Sequence, residues 1–192
     1  MGAIEHLPPP QSRFRISADD YQRLGKLGVI APESRVELLD GEIIVMAPIG
    51  SRHWAMVNRL DELLRDAVKK MAIVATQSSF RLDRYSEPEP DIALFKRRED
   101  FYTDALPKAE DTLLVVEVSD SSARYDREIK LPRYAAQGIP EVWIVDLDAQ
   151  VFRLHRGPRG ADYIETSVTA TPGIVELVAL PGVEVDLTGL LG

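Results

Sequence analysis

The stretch LLVVEVSDSSARYDREIK, residues 113–130, decides the fold predicted for this chain. Its first six residues, Leu113 to Val118, form an apolar run that predicts a buried strand, and Glu117 lies inside that run. A buried strand normally excludes an ionised carboxylate, because removing the charge from water is costly unless a cation or hydrogen bonds compensate. Glu117 is therefore a candidate functional residue.

A polar turn and a charged helical segment follow this strand. Asp126, Lys130 and Tyr134 are four residues apart, which places them on one face of a helix predicted over residues 123–137. Pro132 lies inside that helix, where a proline costs about 3 kcal/mol, so the helix is either kinked or begins later. The pattern predicts an acid near the end of a buried strand and a lysine that returns toward it.

The elements on either side predict an α/β or α+β sandwich around a mixed sheet. Ser17 is the expected N-cap of the first helix, Ser51 can cap the second, and Asp40-Gly41 is a strong hairpin turn. The predicted helices are 18–27, 51–71 and 123–137. The predicted strands are the two arms of that hairpin, then 73–75, 78–82, 91–95, 113–118 and 141–146, with antiparallel ribbons after Asp148.

Length and composition predict one globular domain, because 192 residues that are 45% hydrophobic can form one sizeable core. Residues 1–14 include a Pro-rich stretch and are expected to form a flexible arm. Residues 15–192 are expected to form the domain, with 149–192 as a C-terminal β-ribbon extension. The sequence contains no run of 18 apolar residues, so no membrane span is predicted. A cytoplasmic location is expected because the first residues lack the apolar core of a signal peptide.

The composition also limits the chemistry. The absence of cysteine excludes disulfides, thiolate metal sites and a cysteine nucleophile, and three histidines disfavour an all-histidine zinc site. The net charge of −8 argues mildly against broad, non-specific binding to nucleic acid, which requires Lys and Arg to neutralise phosphates. A local basic cleft, or a site in which divalent ions supply the positive charge, remains compatible with this charge.

Two acids lie at the ends of predicted strands. Asp91 begins one strand and Glu117 lies near the end of another, so neighbouring strands would bring both carboxylates to one hard divalent cation. Mg²⁺ favours such sites, because it takes one or two protein carboxylates and keeps waters and phosphate oxygens as its other ligands. A lysine beside the cation could position or deprotonate the attacking water. The alternative for both acids is an ordinary structural position at a strand end.

The chain resembles the Uma family of small restriction-endonuclease-like proteins, members of the PD-(D/E)XK nuclease superfamily. The matching stretches are VELLDGEIIVMAP, SRHWAMVNRL, EPDIALF, LLVVEVSDSS, YDREIKLPRYAAQGIPEVWIVD and LPGVEVDLTGLL, which cover most of residues 15–191. The resemblance implies a restriction-endonuclease-like central mixed sheet flanked by helices, here with extra antiparallel ribbons at both ends. The activity that it implies is metal-dependent cleavage of phosphodiester bonds.

By this resemblance, Pro90-Asp91 supplies the "PD" of the superfamily and Glu117 supplies the "E" of its E-x-K. The chain departs from the pattern at Ser119, where alternation along the strand would place the lysine. The resemblance implies that the lysine has moved to the following helix, which makes Lys130 its functional replacement. We expect the Lys130 ammonium within about 6 Å of the Glu117 carboxylate, close enough to favour both charged forms.

Other residues allow two interpretations. Glu37 is either a solvent-facing hairpin acid or a third acid that binds the metal or positions water. His53 either packs near the start of its helix or belongs to the site. Asp126 is expected to be a helix-start or salt-bridge residue that could orient Lys130. Tyr134 and Trp143 are expected in the core. The charged run at residues 96–98 either contacts phosphates or, as is usual for such runs, is solvated surface.

The predicted function is hydrolysis of DNA phosphodiester bonds by Asp91, Glu117, Lys130 and Glu37. Mg²⁺ or Mn²⁺ is expected as cofactor, held by the three acids. One alternative is a non-catalytic binding or scaffold protein that retains the fold, and another is a hydrolase of a different phosphate ester. A homodimer is expected, because cutting both strands of a duplex requires two sites and the late β-ribbons have edges that could pair between chains.

Overall fold

The structure, a computed structural model, describes residues 13–192, so most of the arm predicted over residues 1–14 lies outside the described residues. The strands are β1 (Val36–Leu39), β2 (Glu42–Val45), β3 (Ala72–Thr76), β4 (Ile92–Lys96), β5 (Thr112–Ser119), β6 (Glu141–Asp146), β7 (Val151–Arg159), β8 (Asp162–Thr169), β9 (Ile174–Glu176) and β10 (Glu184–Asp186). The helices are α1 (Ala18–Lys26), α2 (Ser51–Val68), α3 (Ala123–Tyr125) and α4 (Leu131–Ala136), and a π-helical turn, Asp126–Lys130, joins the last two.

Six strands form the central sheet, in the order β3-β4-β5-β6-β7-β8. β5 and β6 are parallel and the other neighbours are antiparallel, so the sheet is mixed as predicted. The β1-β2 hairpin and the β9-β10 pair form two small antiparallel sheets near the two ends of the chain. These features confirm the predicted fold class, while β7 and β8, expected as a separate ribbon, continue the central sheet because β7 pairs along the whole of β6.

Apolar side chains cover both faces of this sheet. On one face, α2 packs its buried stripe against the strands, and that stripe consists of Val57, Leu60, Leu64 and Val68. On the other face, Phe80, Phe95 and Tyr134 lie in a second cluster beneath the segment that connects β5 to β6. Every residue of β5 is buried, which explains its continuous apolar sequence.

Several predicted boundaries are confirmed and others are wrong. Ser17 caps α1 by accepting a hydrogen bond from the Asp20 amide, as predicted. The N-cap of α2 is Gly50, so Ser51 is the first helical residue and not the cap. Residues 78–82 form no strand, because the chain there makes only an isolated bridge between Arg81 and Lys108. None of the described helices combines the length and the apolar character needed to cross a membrane.

The connection from β5 to β6 carries Lys130, the lysine of the predicted site. The helix predicted over residues 123–137 is divided into α3, the π-helical turn and α4, and Pro132 lies in the first turn of α4, where its missing N–H is tolerated. The π-helical turn buries Asp126 and Lys130 against the sheet. Such turns are rare and occur frequently at functional sites.

Candidate active site

A cavity of about 420 Å³ lies where the start of β4 meets the end of β5. The segment from Ile44 to Gly50 forms one wall, and the residues that follow β5 form another. Among the described residues that line the cavity, two carry a permanent positive charge, Arg35 and Lys130. Six carboxylates line it as well: Glu37, Glu89, Asp91, Glu117, Asp120 and Asp126. The cavity therefore carries an excess of negative charge.

Lys130 bridges two of these acids. Its Nζ lies 3.1 Å from Glu37 Oε2 and 3.3 Å from Glu117 Oε1, and all three residues are almost completely buried. The position of Lys130 next to Glu117 agrees with the distance expected from the sequence. Burial alone would lower the pKa of Lys130, but attraction to Glu117 and Glu37 outweighs it and the pKa is raised. Lys130 is therefore held as an ammonium ion.

Glu117 uses one of its two oxygens for hydrogen bonding. Its Oε1 accepts a hydrogen bond of 2.7 Å from the Tyr134 hydroxyl, in addition to the contact with Lys130. Its Oε2 has no hydrogen-bond partner within residues 13–192. Burial raises the pKa of Glu117, although the nearby ammonium acts in the opposite direction. One oxygen of a buried carboxylate thus remains available to a ligand.

Tyr134 has two roles in the structure, where the sequence predicted one. Its ring belongs to the core cluster that contains Phe80, as expected. Its hydroxyl donates to Glu117, and burial raises the pKa of Tyr134 so that the proton stays on the oxygen. Trp143 is confirmed as a core residue, because it is fully buried and packs on Phe152, and its indole N–H donates to the buried Glu141 at the other end of the sheet.

Asp91 is held from two sides at the start of β4. Its Oδ2 accepts a hydrogen bond of 2.8 Å from the Val118 amide, because antiparallel pairing of β4 with β5 brings this amide beside it. His53 Nε2 lies 3.0 Å from Asp91 Oδ1 and extends from the first turn of α2. The hydrogen bond to Asp91 raises the pKa of His53, although burial opposes this shift. His53 therefore lines the cavity beside Asp91, which is compatible with the second of its two interpretations, a role in the site.

Ser119, which stands at the lysine position of the E-x-K pattern, forms a hydrogen bond that this pattern does not predict. Its hydroxyl donates a hydrogen bond of 2.7 Å to Asp126 Oδ2, and Ser122 donates a second one of 2.6 Å to the same oxygen. These bonds tie the π-helical turn to the end of β5. Asp126 therefore fixes the segment that carries Lys130, which is compatible with an orienting role.

The structure excludes the solvent-facing interpretation of Glu37, whose exposed fraction is 2%. Glu37 Oε2 accepts a hydrogen bond of 3.2 Å from the Glu89 amide as well as the contact with Lys130. The charged run at residues 96–98 lies at the far end of β4, where the Arg97 guanidinium stacks over the Phe101 ring at 4.3 Å. These cations are separate from the cavity.

Arg35 and Glu89 are among the charged residues of the cavity lining that sequence reasoning missed. Burial raises the pKa of Glu89, while the positive charge of Arg35 lowers it. Each stands two residues from a predicted site acid, Arg35 before Glu37 and Glu89 before Asp91. In an extended chain this spacing returns the side chain to the same face, and the prolines on both sides of Glu89 favour an extended chain. That periodicity was the signal that could have identified both.

The carboxylates suit a hard divalent cation by their chemistry. Within residues 13–192, no group of three or more metal-ligating side chains is close enough to hold an ion by itself, and Glu37 and Glu117 both contact Lys130. Mg²⁺ does not need such a group, since it is commonly bound by one or two carboxylates with waters and substrate oxygens. The free Oε2 of Glu117 and the excess of acids in the cavity fit such an ion.

Comparison with known proteins supports a nuclease-like protein. Residues 18–188 match the family described as "Uma2: Putative restriction endonuclease". The fold matches the crystal structure of a putative nuclease belonging to DUF820 from Anabaena variabilis, with a TM-score of 0.66 and 18% sequence identity. That match covers 92% of this chain and 97% of the other. No curated protein matches the sequence.

Proposed function

The chain belongs to the Uma2 family, and from this premise we propose that it is a metal-dependent endonuclease that hydrolyses phosphodiester bonds in DNA. The observation that carries the proposal is the cavity in which Asp91 and Glu117 meet Lys130 and Glu37. A carboxylate with a free oxygen can help to hold a metal ion, and the ammonium ion beside it can stabilise the charge that develops in metal-assisted phosphoryl chemistry. The Anabaena protein that shares this fold is described as a putative nuclease, which supports the proposal.

Asp91 and Glu117 are the residues proposed to hold Mg²⁺ or Mn²⁺, and Glu37 reaches the same cavity from the hairpin as the third acid. When bound, such an ion polarises the phosphate and lowers the pKa of a coordinated water. The Val118 amide and His53 keep the Asp91 carboxylate in one orientation. Tyr134 and Lys130 do the same for Glu117, so both acids are preorganised.

Lys130 is proposed to stabilise the negative charge that develops on the phosphate oxygens. Its raised pKa keeps it protonated, so it acts as a hydrogen-bond donor and not as the base. The attacking water loses its proton to a carboxylate, and Glu37 is the proposed acceptor because only its Oε2 is engaged by described residues. A bond from the water oxygen to phosphorus forms, the bond to the leaving sugar oxygen breaks, and that oxygen takes up a proton from solvent.

A non-catalytic binding or scaffold protein is the alternative, and one observation favours it. Lys130 is enclosed between Glu37 and Glu117, as it would be in an ion pair that only stabilises the fold. A hydrolase of another phosphate ester would use the same groups on a smaller substrate. An assay that offers both DNA and a small phosphate ester distinguishes the endonuclease from these two alternatives.

The test is a titration of Mg²⁺ and Mn²⁺ with plasmid, linear duplex and single-stranded DNA as substrates, and a chromogenic phosphate ester in parallel. We expect cleavage of DNA that requires the metal and disappears in Asp91→Asn. Asp104→Asn is the matched control, because Asp104 is exposed in the segment between β4 and β5. Hydrolysis of the ester without cleavage of DNA would favour the smaller substrate, and no hydrolysis of either would favour the scaffold.

We also propose that the chain forms a homodimer in the cytoplasm, where a DNA substrate is available. β8 is an edge strand of the central sheet, and two large apolar side chains on it are exposed, Ile164 by 66% and Val168 by 49%. Pairing of two such edges would provide two sites for the two strands of a duplex. Sedimentation velocity at micromolar concentration should show a dimer that Val168→Lys dissociates, and a monomeric wild type would contradict this part.

A further inference from the structure

Arg35 differs from the other cation of the cavity in how it is held. Lys130 is 5% exposed and contacts two carboxylates, so its donors are committed to the protein. Arg35 is partly exposed, immediately before β1, and its Nη1 donates one hydrogen bond of 2.7 Å to the Ala47 carbonyl. Within residues 13–192, its side chain makes no ion pair and no other hydrogen bond.

The other arginines near the cavity are paired with acids. Arg52 lies 2.9 Å from Asp120 and 2.8 Å from Asp148, and Arg127 lies 3.2 Å from Asp146. Arg35 lines the same cavity as six carboxylates. It forms no ion pair with any of these six acids. A guanidinium has five N–H donors in a rigid fork, so most of the hydrogen-bonding capacity of Arg35 is directed to no described residue.

The backbone around Arg35 restricts where its side chain can go. The Met46 amide donates a hydrogen bond of 2.9 Å to the Arg35 carbonyl, and the Ala47 carbonyl accepts from the side chain. Two consecutive residues of the cavity wall therefore hold Arg35 at both ends. A cation that is fixed by the backbone and forms no ion pair with a described acid is preorganised for an anionic ligand, because little side-chain entropy is lost on binding.

We propose that Arg35 binds a backbone phosphate of the DNA strand that enters the cavity. This inference rests on the proposed nuclease function and assigns its phosphate-binding group. The ligand is a phosphodiester anion, since the planar fork of a guanidinium matches two phosphate oxygens and carboxylates already line the cavity. Arg35 has no role in holding the metal, because both groups are positive.

The test measures binding of fluorescein-labelled single-stranded and duplex oligonucleotides, by fluorescence anisotropy, to the full-length protein with Ca²⁺ in place of Mg²⁺. Arg35→Gln should weaken binding roughly tenfold to a hundredfold, the range expected for hydrogen bonds to a charged group. The dependence of log Kd on log salt should fall by about 1, which is the contribution of one phosphate contact. The affinity of Arg35→Lys for the oligonucleotides should lie between those of wild type and Arg35→Gln, because lysine retains the positive charge but lacks the planar, forked donors of the guanidinium.

Two controls separate a phosphate contact from a structural effect. Arg97→Gln removes a positive charge at the far end of β4 and should leave binding unchanged. The increase in Tm caused by Ca²⁺ should be retained or larger in Arg35→Gln, because the substitution removes a positive charge near the metal. If the Ca²⁺ effect and DNA binding fall together, the role of Arg35 is structural and the inference is wrong.

The inference and the proposed function fail in different ways. If wild-type protein binds and cuts DNA, and Arg35→Gln binds it equally well, the assignment of Arg35 is wrong while the nuclease function stands. If wild-type protein neither binds nor cuts DNA, the proposed function is wrong and the phosphate assignment with it.

Discussion

Two buried glutamates on neighbouring strands show how a structural acid differs from an acid in a functional site. Glu141 begins β6, and both of its oxygens are used: Oε1 accepts from the Trp143 indole at 2.7 Å and from Arg156 at 2.9 Å, and Oε2 accepts from the Val178 amide at 2.9 Å. Glu117 lies near the opposite end of β5 and uses only Oε1. The number of satisfied oxygens distinguishes the two residues where burial does not.

The comparison has a physical basis. A buried carboxylate whose lone pairs are all satisfied recovers the energy of desolvation through its hydrogen bonds, so it stabilises the fold. A buried carboxylate with a free oxygen recovers less, and the protein tolerates this cost where a ligand completes the site. Glu87 follows the first pattern, because Gln22 donates to one of its oxygens and Arg81 to the other.

The largest expected effect separates the two glutamates by activity. Glu117→Gln should reduce cleavage of DNA by about 100-fold or more, which is a typical cost of removing a positioned catalytic group. Glu141→Gln should cut as well as wild type, because Glu141 lies at the other end of the sheet. The measurement is the initial rate of plasmid cleavage in Mg²⁺, and equal losses in the two variants would invalidate the comparison.

Stability should rank the same two variants in the opposite order. Glu141→Gln should lower the free energy of unfolding by about 2 kcal/mol, because Arg156 loses its partner. Glu117→Gln should cost nothing measurable, since the amide oxygen can still accept from Tyr134 and the buried charge is gone. Urea denaturation at neutral pH measures both.

Removing the cation that Glu37 and Glu117 share should reduce stability and activity together. Lys130→Ala leaves Glu37 and Glu117 buried without their partner, so it should lower the free energy of unfolding by about 4 kcal/mol as well as abolish cleavage. Adding Glu117→Gln to this variant should restore part of the stability and none of the activity. If Lys130→Ala cuts as well as wild type, the assignment of Lys130 is wrong.

The stability contributed by the end of the sheet that holds Glu141, away from the cavity, should depend on pH. His155 pairs with Val142 in the register of β7 and β6, and burial, assisted by the charge of Arg153, lowers the pKa of His155 to about 4. A lowered histidine pKa gives stability above the usual pKa near 6.5, and this stability is lost as the pH falls toward 4. Wild type should lose about 1 to 2 kcal/mol more than His155→Gln over this range, because solvent screening reduces the effect of the full shift.

This prediction is measured by urea denaturation of both proteins at several pH values between 4 and 7, and the difference between them removes the contribution of the carboxylates that titrate in the same range. If the two proteins lose stability in parallel, His155 is protonated at its ordinary pKa and contributes nothing to the acid response.

The smallest expected effect is the increase in Tm that divalent cations cause when they bind in the cavity. A ligand present at ten times its Kd stabilises the native state by about 1.4 kcal/mol, so Mg²⁺ or Mn²⁺ should raise the Tm of wild type by a few degrees. Glu117→Gln should abolish this increase and Glu141→Gln should retain it. An increase of equal size in all three proteins would indicate that the cation binds elsewhere.

The parts of the fold and site that local chemistry determines could be predicted from the sequence. Asp40-Gly41 predicts the hairpin because both residues adopt positive φ there, of 50° and 82°. The apolar run around Glu117 predicts the buried central strand. Asp91 and Glu117 could be paired because each lies at a strand end, and the strands are indeed neighbours.

The parts that depend on tertiary packing could not be predicted. Helical periodicity places Lys130 on a face with Tyr134, but the π-helical turn that buries it follows from the docking of Asp126 on Ser119. The second role of Tyr134 depends on a single hydroxyl contact across 17 residues of sequence. The segment 78–82 has the composition of a strand but no neighbouring strand with which to pair.

The parallel pairing of β5 with β6 has a consequence for the order of events during synthesis. The crossover that carries Lys130 is anchored at its far end by β6, so we expect the lysine to be held against Glu117 only once residues 141–146 have been synthesised and have joined the sheet. A shorter nascent chain holds the acids of the site without the ammonium that completes it. The proposed nuclease would thus acquire its activity late, when most of the domain has already folded.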